Sequence, residues 1–224
     1  MSPSPAVVTL ATAGAYLLAS VPVAYLVGRA WGIDLRRLGT GNPGTSNLWR
    51  NAGFLPAAIA GPLSFAQGAG PVGLARVAGW AGGPLAALAG AAAVGNGYSC
   101  FLRFRGGRTV AVATGAVLGL SWQAFAWLLA WYAAGVVLRS RLPGGQALGV
   151  LVGFAGAPLF CLGFAGAAEG VGAAVLLAVL IARRMDGLAD DLRGGAPPRP
   201  TITRRLLFDA RPGQRLSGPR APAC

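Results

Sequence analysis

Long uncharged apolar runs alternate with short arginine-containing segments along most of the chain. The apolar runs occupy about residues 6–27, 54–74, 80–95, 109–138, 145–164 and 170–181. A helix needs roughly 20 apolar residues to cross about 30 Å of hydrocarbon. The pattern therefore predicts an all-α integral membrane protein whose spans pack as a helical bundle.

The arginines predict how often the chain crosses the membrane. They gather at residues 29–50, 103–108, 139–141 and 183–184, whereas Arg76 and Glu169 are the charged residues of the remaining connections. Positive loops face the cytoplasm, so the run 109–138 must cross twice, with a turn near "GLSWQ" at residues 119–123. We predict about seven transmembrane helices, an external N-terminus, and short re-entrant, glycine-rich loops on the cytoplasmic side. The alternative for residues 109–138 is one long tilted helix.

Composition agrees with a membrane location. Hydrophobic residues make up 54% of the 224 residues and charged residues 11%, against about 25% charged in a soluble domain, and the mean hydropathy is +0.58. The formal charge of +13 comes from arginines that flank apolar runs, which favours anionic lipid headgroups over nucleic acid as the partner. We expect a multi-pass protein of the cell membrane.

The residue types also limit the chemistry. Histidine and lysine are absent from the sequence, so the usual bases near neutral pH are missing. The three cysteines, Cys100, Cys161 and Cys224, lack metal-ligand spacing. We expect neither a metal nor a cofactor.

The composition changes near residue 193. Residues 194–224 are rich in proline, glycine and arginine and carry too little apolar surface to fold alone. We divide the chain into a membrane domain, residues 1–193, and a disordered, basic cytoplasmic tail, residues 194–224. A short surface helix near residues 203–210 is the alternative for part of that tail.

The segment "GTGNPGTSNLWR", residues 39–50, places many hydrogen-bond donors beside the first span. Glycines let backbone N–H groups converge on an anion, while hydroxyl, amide and guanidinium groups add donors. A polar turn that ends a helix is the alternative. The segment predicts a phosphate-binding loop with these contacts: Gly39, Thr40, Gly41, Asn42, Gly44, Thr45, Ser46, Asn47 and Arg50.

A second glycine- and arginine-rich segment, "FLRFRGGRT" at residues 101–109, falls on the same predicted side. Two such loops on one face predict one shared site or two neighbouring phosphate sites. We include Asn96, Gly106, Gly107 and Arg108 as candidate contacts, with Arg50 and Arg108 neutralising charge. We assign no catalytic residue, because Asp34 lies beside Arg36 and Arg37 and is better suited to pairing with an arginine than to acting as a base.

Two motifs carry a resemblance to the bacterial acyl-phosphate-dependent glycerol-3-phosphate acyltransferases. The stretch "DLRRLGTGNPGTSNLWRNAG", residues 34–53, resembles the family's D-L-R-x-x-G-S-G-N-x-G-A-T-N-x-x-R-x-x-G. The stretch "GNGYSCFLRFRGGRTVA", residues 95–111, resembles G-H-x-x-P-x-F-x-x-F-x-G-G-K-G-V-A, with Asn96 for His, Arg108 for Lys and Thr109 for Gly. The resemblance implies a seven-span bundle with its motif loops in the cytoplasm.

Other family positions differ in this chain. The second span has Ser64 and Gln67 within "SFAQG", where D-x-x-K-G is usual, and Leu142 stands at the position of a serine. A third motif, H-x-x-N-x-x-R-L-x-x-G-x-E, corresponds to the region of "RMDGLADDLRGGA", with Arg184 for His and Gly187 for Asn. The phosphate-binding half of the family site is therefore better matched than the acceptor-binding half.

The resemblance implies a membrane acyltransferase of phospholipid synthesis. It would move a fatty acyl group from acyl phosphate to glycerol 3-phosphate and give lysophosphatidate. The alternative is a catalytically impaired relative that binds acyl phosphate, an anionic headgroup or a partner without turnover. A transporter or scaffold is disfavoured, because the spans contain almost no ionisable residue for a midplane ion path.

Overall fold

Helices account for most of the part of the chain that the computed structural model describes, which is residues 3–138, 140–141, 144–203 and 205–206. A short 3-10 turn, Cys100–Leu102, lies between α5 and α6. The helices are α1 Pro5–Ser20, α2 Val23–Ala30, α3 Thr45–Ala52, α4 Phe54–Val77, α5 Gly83–Gly97, α6 Val110–Leu120, α7 Trp122–Leu138, α8 Gly145–Phe164, α9 Ala167–Met185, α10 Leu188–Arg193 and α11 Pro198–Thr203.

The first span is discontinuous, which corrects the single run predicted for residues 6–27. It breaks after Ser20, and α2 begins directly after Pro22. Proline has no backbone N–H to donate, so the ladder of hydrogen bonds ends there. The side-chain amide of Gln67 in α4 donates to the carbonyls of Leu18 and Val21 at 2.7 and 2.9 Å. The same two carbonyls accept from the N–H groups of Val21 and Val23, so the amide of a neighbouring helix adds a second donor to the backbone oxygens at the break.

Contacts between the ends of the helices define two faces of the bundle. At one end, Arg76 near the end of α4 donates to the carbonyl of Leu120 at the end of α6, and the N–H of Gly82 before α5 donates to Glu169 at the start of α9. We call this the opposite face. The other end carries residues 31–53 and 98–109, and we call it the loop face.

The predicted turn within residues 109–138 is confirmed. Helix α6 ends at Leu120, and Ser121 interrupts the run before α7 begins at Trp122. The Ser121 Oγ accepts a hydrogen bond from the N–H of Ala124 at 3.3 Å, as an N-cap does. One long tilted helix is therefore excluded. With α1 and α2 counted as one span, the described residues cross between the faces seven times, through α1–α2, α4, α5, α6, α7, α8 and α9.

Close packing of glycine compensates for the shortness of α6, whose 11 residues rise only about 16 Å. A Cβ added at Gly68 of α4 would overlap the carbonyl of Val112, and one added at Gly115 of α6 would overlap the carbonyl of Phe65. The two backbones therefore touch, as small residues permit in membrane bundles.

Hydropathy identifies the same bundle as a membrane protein. In the described residues, three segments are long and apolar enough to span a bilayer: Pro5–Ala30, Gly83–Leu102 and Gly145–Phe164. Two shorter apolar helices, Val110–Leu120 and Trp122–Leu138, lie between them in the sequence. The fold is an all-α, multi-pass membrane bundle, as predicted.

The predicted tail is partly ordered in the described residues. Helix α11 covers Pro198–Thr203, and the side chains of Thr201 and Arg205 are buried. These residues differ from the disorder expected of the tail, because Arg205 finds acidic and carbonyl partners on the chain just after α9. Most of the alternative helix at residues 203–210, and all of residues 207–224, lie outside the described residues. The domain boundary at residue 193 stays a prediction.

Candidate functional site

The buried side chain of Asn47 forms the internal hydrogen bonds of the first loop, which comprises residues 31–53. Its buried side-chain amide donates to the carbonyls of Leu35, Leu38 and Asn42 at 3.1, 3.0 and 3.0 Å. Its Oδ1 accepts from the N–H of Thr40 at 3.2 Å. The amide N–H groups of Asn47 are thus used within the loop, and the direct phosphate contact that we predicted for Asn47 stays a prediction.

The glycines of this loop allow a tight backbone path around Asn47. Gly39 and Gly41 have φ values of 56° and 68°, which only glycine adopts freely. A Cβ at Gly39 would overlap the Oδ1 of Asn47, and the amide of Asn42 lies against Gly44. The N–H of Gly41 donates to the carbonyl of Leu38, so it turns the loop and does not face a ligand.

The polar groups that remain near the start of α3 can bind an anion. Gly44 is the N-cap and offers no side chain to the first N–H groups of the helix, so the positive end of the helix dipole is uncovered. The Thr40 Oγ1 is buried and forms no hydrogen bond with any described residue. Thr45 and Ser46 begin the helix and add two hydroxyl groups.

Arg50 supplies positive charge to the same helix. Its Nε donates to the carbonyl of Ser46 at 3.2 Å, which directs the guanidinium back toward the first turn. Desolvation by the surrounding protein lowers the pKa of Arg50 from its ordinary value, although much of its surface stays exposed. The described residues give Arg50 no acidic partner, and an anionic ligand is the natural counter-charge.

Asp34 is confirmed as a partner of arginine. Its carboxylate lies 3.8 Å from Arg29 and 3.7 Å from Arg37, and it accepts a hydrogen bond from the N–H of Arg36 at 3.0 Å. Asp34 therefore holds two arginines at the approach to the first loop.

The second loop folds back on the end of α5. The N–H of Gly106 donates to the carbonyl of Gly97 at 3.0 Å, and that of Gly107 donates to the carbonyl of Asn96 at 2.9 Å. A Cβ at Gly106 would overlap the Asn96 carbonyl. Backbone contact thus requires the glycine at Gly106. The N–H groups of both glycines have backbone partners, and the phosphate contact of Gly106 and Gly107 stays a prediction.

Arg183 of α9 is a residue that the sequence analysis missed in this loop. Its Nε and Nη2 donate to the carbonyls of Gly107 and Gly106 at 3.1 and 2.9 Å. Its guanidinium also lies 5.0 Å from the centre of the Tyr98 ring, a cation–π distance. The only sequence signal was an arginine pair at the end of an apolar run, which a membrane edge also explains.

Arg108 follows the glycine pair in the sequence, and Asn96 of α5 contacts the pair. The Oδ1 of Asn96 is 3.0 Å from the position that a Cβ of Gly107 would take, and Arg108 follows half-buried. Thr109 next to it has a φ of 61°, which is unfavourable for a β-branched residue. The resemblance places glycine there, which fits this backbone angle.

Both loops attach to the break between α1 and α2. At the break, Ser20 Oγ donates to the carbonyl of Gly95 at 3.2 Å, and Ser99 Oγ donates to the carbonyl of Ser20 at 2.5 Å. The first loop packs on the other part of the same span through a buried apolar cluster: Ala24, Leu35, Leu48 and Ala60. The two loops therefore share one face and one support.

The described residues gather no group of three His, Cys, Asp or Glu side chains that could hold a metal ion. The groups available for chemistry are arginine, hydroxyl and amide donors. Such a set binds and polarises phosphorylated compounds. The fold and these loops together define a multi-pass membrane protein whose loop face is equipped for an anionic substrate.

The chain belongs to the glycerol-3-phosphate acyltransferase family, whose pattern matches residues 9–191. This confirms the resemblance that the two motifs predicted. A glycerol-3-phosphate acyltransferase of Synechococcus sp. (strain JA-3-3Ab) is 38% identical over 162 residues, which cover 70% of this chain and 79% of the relative. One from Rubrobacter xylanophilus is 47% identical over 106 residues, which cover 47% of this chain and about half, 53%, of that relative.

The fold agrees with a solved structure. The chain is similar to the crystal structure of PlsY (YgiH), an integral membrane glycerol 3-phosphate acyltransferase, in its glycerol 3-phosphate form. The TM-score is 0.73 and the identity 26%, with 84% of this chain and 93% of that one covered. A second structure, the lysophosphatidic acid form of PlsY, gives a TM-score of 0.71 at 25% identity.

Proposed function

We propose that the protein transfers a fatty acyl group from acyl phosphate to the primary hydroxyl of glycerol 3-phosphate, giving lysophosphatidate and inorganic phosphate for phospholipid synthesis. The observation that carries the proposal is the first loop. There Asn47 fixes the backbone so that the start of α3, the buried hydroxyl of Thr40 and the guanidinium of Arg50 are available to one anion. Family membership supports glycerol 3-phosphate as the acceptor.

The residues of the two loops support acyl phosphate as the donor. An acyl phosphate is already activated, so transfer needs no enzyme nucleophile. The site must hold the leaving phosphate and stabilise the oxyanion that forms at the carbonyl. Arg50 and Arg108 supply the charge for both tasks, and Thr40, Asn42, Thr45 and Ser46 supply neutral donors.

The proposed reaction is a single displacement at the acyl carbon. The hydroxyl oxygen of glycerol 3-phosphate forms a bond to the carbonyl carbon, and the bond from that carbon to the phosphate oxygen breaks. The electron pair of the broken bond leaves with inorganic phosphate. The hydroxyl proton passes to a phosphate oxygen of the substrates, because Asp34 is held by arginines and the sequence lacks histidine and lysine.

We propose that the loop face lies in the cytoplasm of the cell membrane. The arginine clusters of the described chain at residues 29–50, 103–108 and 183–184 lie on this face or close to it, and positively charged loops are retained on the cytoplasmic side. Both water-soluble substrate groups would then reach the loops directly from the cytoplasm.

The test of the proposed function is product formation by the purified full-length protein in lipid nanodiscs. Palmitoyl phosphate is supplied with and without glycerol 3-phosphate, and inorganic phosphate and lysophosphatidate are both measured. We expect the two products in equal amounts and only when the acceptor is present. Palmitoyl thioesters as the donor should give none.

Two arginine variants add a matched control. Arg50→Gln should lower kcat/KM for palmitoyl phosphate about a hundredfold, because a charge that acts on the leaving phosphate is lost. Arg37→Gln removes an exposed arginine of the same segment and should change it less than about threefold. Binding of palmitoyl phosphate with no product at any acceptor concentration would contradict turnover and favour the impaired relative.

A further inference from the structure

Arg183 connects the second loop to the chain that follows α9. Two of its nitrogens donate to the carbonyls of Gly106 and Gly107, and its Nη1 pairs with the carboxylate of Asp186. The side chain is only 10% exposed. The loop that carries Arg108 is therefore clamped by a cation whose own orientation depends on Asp186.

Asp186 is also a contact of the C-terminal segment. Its backbone carbonyl accepts a hydrogen bond from the Nη1 of Arg205, whose Nε donates to Asp191 at 2.9 Å. The Nη2 of Arg205 pairs with the same Asp191 oxygen. One residue, Asp186, is thus held from one side by Arg183 and from the other by Arg205.

The C-terminal segment is buried where it makes these contacts. Arg205 is 4% exposed and Thr201 2%, and the carbonyl of Leu206 accepts a hydrogen bond from Nη1 of the buried Arg184. This segment lies beyond residue 191, where the match to the family ends. The segment contacts the residues behind the second loop.

We propose that Arg205 is a positioning residue for the acyltransferase site. The C-terminal segment, residues 198–203 with 205 and 206, fixes Asp186, Asp186 fixes Arg183, and Arg183 fixes Gly106 and Gly107 and hence the backbone that carries Arg108. Arg205 does not touch substrate in this account. The effect on turnover rests on the proposed function, whereas the effect on the loop does not.

The physical reason is the loss of the hydrogen bonds that the buried guanidinium of Arg205 makes. Removing it leaves the carboxylate of Asp191, whose side chain is 21% exposed, and the carbonyl of Asp186 without this donor, so the chain between α9 and α10 must rearrange. Asp186 then no longer holds Arg183 in place. A displacement of about 1 Å at a charged group of a site can lower the rate about a hundredfold.

The experiment measures the loop and the reaction separately in the full-length protein in nanodiscs. Hydrogen exchange followed by mass spectrometry reports the amides of Gly106 and Gly107, which donate to the end of α5. Steady-state kinetics with palmitoyl phosphate and glycerol 3-phosphate reports kcat and KM. The variants are Arg205→Gln, Arg205→Lys and Arg193→Gln.

We expect Arg205→Gln to speed exchange in residues 101–109 about tenfold and to lower kcat about tenfold, with KM for glycerol 3-phosphate changed less than about twofold. Arg205→Lys keeps a donor and should recover most of both. Arg193→Gln is the matched control, since it breaks an ion pair of the same turn whose side chains are both 80% exposed. It should change neither readout.

Unchanged exchange at residues 101–109 in a folded Arg205→Gln protein would overturn the inference, whatever its activity. Faster exchange in a protein whose parent shows no turnover would keep the coupling and reject the proposed function. If Arg205→Gln does not fold, Asp191→Asn tests the same contact. Asp191→Asn leaves the amide oxygen of residue 191 as an acceptor for Arg205, so we expect a smaller increase in the exchange of residues 101–109. Unchanged exchange in this variant would again reject the inference.

Discussion

At the scale of single residues, Asn47 determines the backbone path of the first loop, while other residues of the loop remain available to bind an anion. Its amide serves three carbonyls from inside the loop. The sequence could predict that a glycine- and amide-rich segment binds an anion. It could not show which amide faces the ligand and which faces the backbone, because that depends on the path of the folded loop.

The substitution Asn47→Asp tests this assignment. It replaces the donating NH2 by an oxygen that faces the carbonyls of Leu35, Leu38 and Asn42, so we expect about 3 kcal/mol less stability. The measurement is the thermal unfolding midpoint in lipid nanodiscs. Asn51→Ala is the control, because Asn51 is exposed and donates only to Asn47. An equal shift in both variants would show that Asn47 does not organise the loop.

In the second loop, the contacts of Arg183 and the backbone angle of Thr109 also could not be predicted from the sequence. An arginine after an apolar run is expected at any membrane edge, so nothing in the pattern of residues indicated that Arg183 would donate to the loop carbonyls. Thr109 differs from the glycine that the resemblance places there, and the positive φ at this position explains why glycine fits. Such facts depend on backbone geometry that pattern alone does not contain.

At the scale of helices, the break in the first span could have been anticipated from Pro22 and was missed because the run stays apolar on both sides. Pro22 could not indicate which side chain would donate to the carbonyls at the break. That side chain is Gln67, 45 residues after Pro22, which donates to the carbonyls of Leu18 and Val21. The resemblance had marked Gln67 as a departure from lysine, and its contacts now give it a structural role.

The substitution Gln67→Leu should therefore destabilise the bundle by about 2 kcal/mol, since it removes the side-chain donor shared by the carbonyls of Leu18 and Val21 in a region shielded from water. The unfolding midpoint and the fraction recovered after refolding are the measurements. Gln146→Leu is a suitable control, because Gln146 makes one exposed hydrogen bond to Tyr132. A midpoint unchanged in Gln67→Leu would mean that the break does not need this amide.

The contact between α4 and α6 gives a second test at this scale. Gly68→Ala should lower the unfolding midpoint by several degrees, because the added Cβ overlaps the Val112 carbonyl and forces two backbones apart. Gly70→Ala lies in the same helix, where nothing stands within 4 Å of the added atom, and should be neutral or slightly stabilising. The reverse order of the two midpoints would contradict the close packing.

At the scale of the whole molecule, the membrane bundle was predictable because its cause is simple. Apolar length sets the spans and arginine placement sets their parity, and together they predicted the turn that the structure has at Ser121. The tail was less predictable. Its composition indicates disorder, but the buried Arg205 donates to Asp186 and Asp191 and holds the described residues 198–203 and 205–206 against the chain that follows α9.

The candidate site was predictable as a pair of loops and not as a set of contacts. The motifs placed both loops on one face, and the structure supports both on the α1–α2 break. Of the predicted donors, the amide of Asn47 and the N–H groups of Gly41, Gly106 and Gly107 donate to carbonyls of the protein itself. The hypothesis of a single phosphate site therefore rests on Arg50, Arg108 and the hydroxyl groups near the start of α3.

The central claim is that Arg50 and Arg108 act on one phosphate, and a double-mutant cycle on donor binding tests it most directly. The affinity for a non-hydrolysable acyl phosphonate is measured in nanodiscs for the parent, Arg50→Gln, Arg108→Gln and the double variant. We predict that the two losses are non-additive by about 1 kcal/mol, because a phosphate released by one arginine is no longer held against the other. Losses that add to within about 0.3 kcal/mol would show two independent sites and contradict the account.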